Sequence, residues 1–148
     1  MPILHTEDGL PVTSSNPLPT NPAALSSSTD GVDVDLMTKG TVTTAANAIS
    51  SGTTSSEISC VGYNSILLQV ILSTTGQWDV TITGSMTSGG TFTAWNVVDN
   101  GTLVAMSTLN LTASAGYTFT GVPDYIKVVT NEDSGSATCT VYVQPFNV

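Results

Sequence analysis

From residue 57 onward, apolar and polar residues alternate along the chain with the two-residue period of strands that bury one face. The clearest segment is QWDVTITGSM at 77–86, where Trp78, Val80 and Ile82 share one face. Comparable segments recur at short, regular spacing, and no stretch has the 3.6-residue period of a helix. The pattern predicts an all-β fold, an antiparallel β-sandwich or jelly roll of about eight or nine strands.

One segment departs from simple alternation. The run ILLQVIL at 66–72 is apolar on both faces, which predicts either a central strand or a strand at a subunit contact. Leu67 is therefore a candidate subunit contact. Trp95 is another, because it shares a face with Thr93 and Val97 and so belongs to a rim or a contact between subunits.

The alternation also predicts which side chains form the core. Trp78 alternates with Val80 and Ile82, which favours burial over a sugar-stacking role. The full predicted core is Ile58, Leu68, Val70, Trp78, Val80, Ile82, Phe92, Tyr117, Phe119, Val128, Val141 and Val143.

The beginning of the chain has a different composition. Five of its seven prolines lie in the first 22 residues. Proline fixes φ, lacks a backbone donor and pushes the preceding residue towards extended conformations. We therefore predict an extended Pro-rich N-terminal arm and joint at 1–39, followed by a β-sandwich domain at 40–148. The arm is expected to dock on a partner through Leu10, Pro11, Val12, Pro17, Leu18 and Pro19, because a pre-extended segment loses little entropy on binding.

Charge excludes several classes of partner. The chain has only two basic residues against eleven acidic ones, and its formal net charge is −9. Nucleic-acid binding requires Lys and Arg to neutralise phosphates, so no nucleic-acid partner is expected. An anionic membrane surface is disfavoured for the same reason. No apolar run reaches the roughly 18 residues of a membrane span, and the N-terminus lacks the pattern of a signal peptide.

Candidate chemistry is sparse, and we expect a non-enzymatic protein without cofactor or metal. The single histidine, His5, lies in the predicted arm. Cys60 and Cys139 both stand in apolar alternation, which is typical of buried core thiols, although sequence leaves a disulfide between them open. The acidic stretch DGVDVD at 30–35 offers oxygens for Ca²⁺ but lacks the spacing of an EF-hand, which favours a solvated joint.

Two long segments resemble a known module. GQWDVTITGSMTSGGTFTAW at 76–95 and SAGYTFTGVPDYIKVVTNEDSGSATCTVYVQP at 114–145 are similar to a β-sandwich common in virion proteins of tailed bacteriophages. Carbohydrate-binding relatives usually carry Asp-Gly in the hairpin and Arg on the late strand. Here these positions hold Ser88-Gly89-Gly90 and Lys127, which argues against a sugar site.

The resemblance implies a virion structural protein that decorates or cements the capsid, or forms a head fibre, through its arm. The implied partners are the phage major capsid protein or other virion proteins, the implied assembly is a homotrimer, and the implied location is the virion, assembled in the host cytoplasm. The alternatives are a tail adaptor or fibre module that recognises the host surface, and a carbohydrate-binding module.

Overall fold

The structure, a computed structural model, describes residues 38–148, which fold as a β-sandwich of two antiparallel sheets. The predicted all-β fold class is confirmed. The strands are β1 (Thr43–Ile49), β2 (Thr53–Thr54), β3 (Ile58–Ser59), β4 (Ser65–Leu72), β5 (Gly76–Ser85), β6 (Thr93–Ala94), β7 (Val97–Asp99), β8 (Val104–Met106), β9 (Thr108–Leu111), β10 (Ala115–Thr120), β11 (Tyr125–Gly135) and β12 (Cys139–Phe146). They outnumber the predicted eight or nine because several are two- or three-residue pairings that only the partner strand defines.

Each sheet has six strands. Sheet I has the order β1-β12-β4-β10-β7-β8, and sheet II has the order β2-β11-β5-β6 with β3 also on β11 and β9 also on β5. The longest pairings join β12 to β4 in sheet I and β11 to β5 in sheet II. β5, β11 and β12 carry clear alternation and β4 carries the longest apolar run, so the sequence pattern marks the interior strands of both sheets.

The core lies between the sheets and is formed by the inward-facing members of the alternation. Trp78, Val80 and Ile82 are buried on β5, and Ile82 pairs with the buried Val128 of β11 in the same sheet. Ten of the twelve predicted core residues are buried, namely Ile58, Leu68, Val70, Trp78, Val80, Ile82, Phe119, Val128, Val141 and Val143. Burying each of these ten side chains contributes on the order of 1.5–3 kcal/mol of favourable free energy before conformational entropy is subtracted. This burial is the main force that holds the two sheets together.

The other two predicted core residues differ from expectation. Tyr117 is only half-buried and stacks on Phe119, with ring centroids 5.6 Å apart and an interplanar angle of 8°. The prediction for Phe92 is wrong. Phe92 is half-buried and lies outside the core cluster. Its ring lies on the outer side of sheet II, where the Nζ of Lys127 is 4.3 Å from its centroid.

The segment 91–99, which reads as a single strand, is divided between the two sheets. β6 pairs with β5 in sheet II, and β7 pairs with β10 in sheet I. Trp95 stands at the crossing, with its backbone N–H donating to the carbonyl of Ile82 at 3.1 Å. Alternation alone cannot reveal such a crossing, because both halves keep an extended backbone.

The segment 66–72 forms β4, which lies between β12 and β10 in the interior of sheet I. The prediction of a central strand is confirmed. Cys60 and Cys139 are free, fully buried thiols of the core cluster. The prediction that both are core residues is confirmed. Burial raises the pKa of each thiol to about 11.

Candidate functional site

The described chain begins at the same end of the sandwich where it finishes. Lys39 pairs with Phe146 in an antiparallel bridge, and the N–H of Gly40 donates to the carbonyl of Pro145 at 2.7 Å. The Gln144 amide donates back to the carbonyl of Gly40 at 2.9 Å. Thr38 and Lys39, the first described residues, are therefore fixed against the end of β12. The predicted docking residues Leu10, Pro11, Val12, Pro17, Leu18 and Pro19 lie outside the described residues.

Trp95 closes the core near this end of the molecule. Its indole lies against Gly84, where an added Cβ would come within 3.0 Å of the ring and 2.5 Å of Pro123. Its Nε1 donates to the carbonyl of Gly121 at 2.9 Å. Trp95 is partly buried and packs on the core cluster, so its ring makes its contacts with residues of its own chain.

The β5–β6 loop is held by a carboxylate from another part of the chain. Glu57 accepts hydrogen bonds from the backbone N–H of Gly89 at 2.8 Å and from the hydroxyl of Ser88 at 2.7 Å. These bonds, in that order of importance and with a smaller contribution from Lys127, lower the pKa of Glu57. The carboxylate therefore fixes a turn, which is a structural role.

The outer face of sheet I is uncharged. The residues 38–148 contain six carboxylates and two lysines, yet none of the outward positions of the five consecutive strands from β12 to β8 is charged. These positions are Thr140, Tyr142, Gln144, Leu67, Gln69, Ile71, Gly116, Thr118, Thr120, Val98 and Ala105.

A depression of about 340 Å³ lies on this face, lined among others by Val42, Leu67, Gln69, Gly116, Tyr142 and Gln144. It forms because Gly116, on β10, has no side chain, while Gln69 beside it and Tyr142 one strand further rise on either side. Val42 is 55% exposed at its rim. Leu67, one of the two predicted subunit contacts, is half-buried in its wall. We call this feature the sheet I depression.

The free edge of the same sheet carries an apolar corner. In the turn from β7 to β8, the carboxylate of Asp99 accepts hydrogen bonds from the Thr102 hydroxyl at 2.8 Å and from the Gly101 N–H at 3.1 Å. These bonds, the hydroxyl first, lower the pKa of Asp99. The turn holds Leu103 at φ +58° with its side chain 79% exposed, next to Val104, which is 53% exposed. We call this pair the Leu103–Val104 corner.

Three of the carboxylates among the described residues are engaged in hydrogen bonds within the chain. Between Thr38 and Val148, no three His, Cys, Asp or Glu side chains come together in a way that would hold a metal ion. Asp79 is hydrogen-bonded by the amide of Asn110, while Glu57 and Asp99 fix turns. In the part of the chain that the structure describes, no helix is long and apolar enough to cross a membrane.

Leu67 and Trp95 do not form one patch, because Leu67 faces outward from sheet I and Trp95 packs at the end of the core. Sequence reasoning missed Gly116 and Leu103. An isolated glycine inside a strand pattern indicates that a ligand or another backbone approaches the strand closely there. Gly116 stands in such a pattern and could have been identified in this way. For Leu103 the sequence holds no such signal, since its exposure and φ depend on the turn geometry.

Known structures share the fold of this chain, but no sequence comparison assigns it to a family. No family profile matches the chain, and no curated protein matches it in sequence. The crystal structure of YomS, a protein derived from the SPBc2 prophage, matches with a TM-score of 0.59 and 17% identity over 78% of this chain and 98% of that one. XepA, an exported protein of PBSX, matches with a TM-score of 0.61 and 13% identity over 93% of this chain. The match spans only 48% of XepA. At these identities the likeness establishes the shared fold.

Proposed function

We propose that this chain is a non-enzymatic virion structural protein of a tailed bacteriophage, which decorates the capsid through its N-terminal arm. The observation that carries the proposal is the fixed junction at Thr38, where a segment that is Pro-rich in sequence joins a sandwich held together at that point by hydrogen bonds to β12. The prophage origin of YomS, which shares the fold over nearly its whole length, supports a phage context.

The physical logic of the arm comes from its composition. Its residues 9–29 contain no charged side chain, so docking them requires no desolvation of ions. Proline restricts the free segment, which lowers the entropy lost on binding. Leu10, Val12 and Leu18 are the proposed anchors, and Pro11, Pro17 and Pro19 keep the backbone extended between them. The partner is a virion protein, in the first place the major capsid protein, and the sandwich assembles as a trimer.

The test is binding to particles assembled without this protein, measured by co-sedimentation. Deleting residues 1–25 should abolish binding while the sandwich still unfolds cooperatively. Leu10→Asp with Leu18→Asp should do nearly the same, because burying two unpaired carboxylates is unfavourable. The matched control is Ser15→Asp with Ser27→Asp, which adds the same charge to the arm without removing an anchor and should still bind.

Undiminished binding of the truncated protein would overturn the docking-arm proposal. Binding to isolated tails and not to heads, after shearing and fractionation of virions, would favour a tail adaptor instead. Trp95 gives no support to a carbohydrate-binding role, because its ring packs on Gly84 and its N–H is bonded within the chain.

A further inference from the structure

We propose that copies of this chain associate by inserting the Leu103–Val104 corner of one copy into the sheet I depression of the next. The occupant of the depression is thus a second copy of the same chain. Three independent features of the described residues lead to this pairing: the exposure of the corner, the shape and lining of the depression, and the distribution of charge.

The corner is built at an energetic disadvantage. Leu103 is the last residue of the four-residue loop between Asp99 and Val104, and its N–H donates to the carbonyl of Asp99 at 2.7 Å. A φ of +58° suits glycine or asparagine and disfavours leucine because of its Cβ. The side chain is 79% exposed, so burial within its own chain does not offset this strain. A strained backbone that presents an exposed leucine is a sign of a contact made elsewhere.

The depression suits such a contact. Its walls include Leu67, Tyr142 and the exposed Val42, and its floor is open because Gly116 has no side chain. At about 340 Å³ it falls in the size range of small-molecule sites, about 300–1,000 Å³, and has room for two aliphatic side chains. Gln69 and Gln144 at its edge supply uncharged hydrogen-bonding groups for an incoming turn.

Charge limits which surfaces of two copies can come into contact. The described residues carry an excess of carboxylates, so two copies repel when charged surfaces approach. The outer face of sheet I carries no charged side chain among the strand positions given above, and the corner carries none either. Burying these two surfaces against each other brings no exposed charged side chain into the contact, because Asp99, which holds the turn, is already buried and hydrogen-bonded within its own chain. Depletion of charge is also typical of interface cores.

The corner and the depression are different patches on one subunit, so the contact is heterologous. A heterologous contact that closes produces a ring of three or more copies. The corner lies at the β8 edge and the depression lies over β12, β4 and β10, which gives an edge-to-face arrangement. This inference deepens the proposed function, on which it rests for the expectation that the protein assembles, and it supplies the contact by which the sandwich would form a trimer.

Two substitutions test the contact without weakening the fold. Leu103→Asn removes the leucine of the corner and places there a residue that tolerates positive φ, so the thermal midpoint should stay the same or rise. Gly116→Gln fills the depression; the nearest atom to a new Cβ is the Leu68 carbonyl oxygen at 3.9 Å, so the strand accepts it. The control is Met86→Asn, which removes a 60% exposed apolar side chain from an unrelated loop.

The measurement is sedimentation velocity on the full-length proteins across the micromolar range. Wild type and Met86→Asn should both sediment at three or more times the monomer mass of 15.2 kDa, and Leu103→Asn and Gly116→Gln should each sediment as monomers. Mixing the two monomeric variants should restore a dimer, because the Gly116→Gln corner can enter the Leu103→Asn depression once.

A monomeric wild type would overturn the proposal, as would an unchanged mass for Leu103→Asn. A mixture of the two variants that stays monomeric, with each variant folded by circular dichroism, would also overturn it. Particle binding is measured separately, so an arm that fails to dock while the ring persists would reject the proposed function and keep this contact.

Discussion

Asn147 and Thr38 are joined by two hydrogen bonds across 109 residues of sequence. The backbone N–H of Asn147 donates to the Thr38 carbonyl at 3.1 Å, and its side-chain amide donates to the Thr38 hydroxyl at 3.2 Å. The same side chain accepts from the N–H of Asn64 at 3.0 Å and donates to the carbonyl of Gly62. One asparagine thus ties the beginning of the described chain to its end and to the β3–β4 loop.

Replacing this asparagine should loosen the junction. Asn147→Ala removes three side-chain hydrogen bonds, and we expect a loss of about 1–3 kcal/mol in the free energy of unfolding. Hydrogen exchange should show lower protection of the Gly40 amide, which bonds to Pro145. Asn96→Ala, at an exposed loop position, is the control and should change neither quantity. Unaltered protection of Gly40 in Asn147→Ala would show that β12 alone holds the junction.

Acid should destabilise the sandwich through two turn carboxylates. The hydrogen bonds to Glu57 and Asp99 lower the pKa of each below its ordinary value of 4.5 or 3.8. The stabilisation that a lowered carboxyl pKa provides is complete above the ordinary pKa and is lost as the pH falls through the folded-state pKa. We expect the thermal midpoint to fall below about pH 4.5, and to fall less steeply in Glu57→Gln with Asp99→Asn. Equal slopes for wild type and the double variant would assign the acid sensitivity to other groups.

The two cysteines should be inert in the folded state. With a thiol pKa of about 11, only about one part in a thousand is thiolate at pH 8, and both side chains are buried. A thiol reagent should therefore label the protein only after denaturant is added, and reductant should leave the thermal midpoint unchanged. A large drop in the midpoint under reductant would reveal a bridge, since closing such a long loop with a disulfide adds several kcal/mol.

A buried glycine and an exposed glycine should respond oppositely to replacement by alanine. In Gly84→Ala the new Cβ meets Pro123 and the Trp95 ring, so we expect a loss of about 1–3 kcal/mol and a shift in Trp fluorescence. In Gly116→Ala the nearest atom is 3.9 Å away, and a strand gains up to about 1 kcal/mol when glycine is replaced. If urea unfolding gave the two variants equal stability, Pro123 and the Trp95 ring would have to shift and accommodate the new methyl group without loss of stability.

Much of the fold is readable in the sequence, because a two-residue period allows only strands with one buried face. That period located β5, β11 and β12 and predicted burial of Trp78 and its neighbours, while the apolar run at 66–72 located β4. It failed at Phe92 and at the crossing after β6, because extended backbone looks the same whether it stays in a sheet or passes to the other.

By itself, the sequence determined an all-β sandwich with a Pro-rich segment before it and almost no basic charge, since period, proline content and net charge are properties of the chain alone. The tertiary structure decided which strands are neighbours, and so which side chains meet. Gly116 becomes the floor of a depression only because β10 pairs with β4, and Leu103 becomes an exposed corner only because Asp99 fixes the turn before it. Such surfaces depend on register and on backbone dihedrals, which the sequence pattern does not carry.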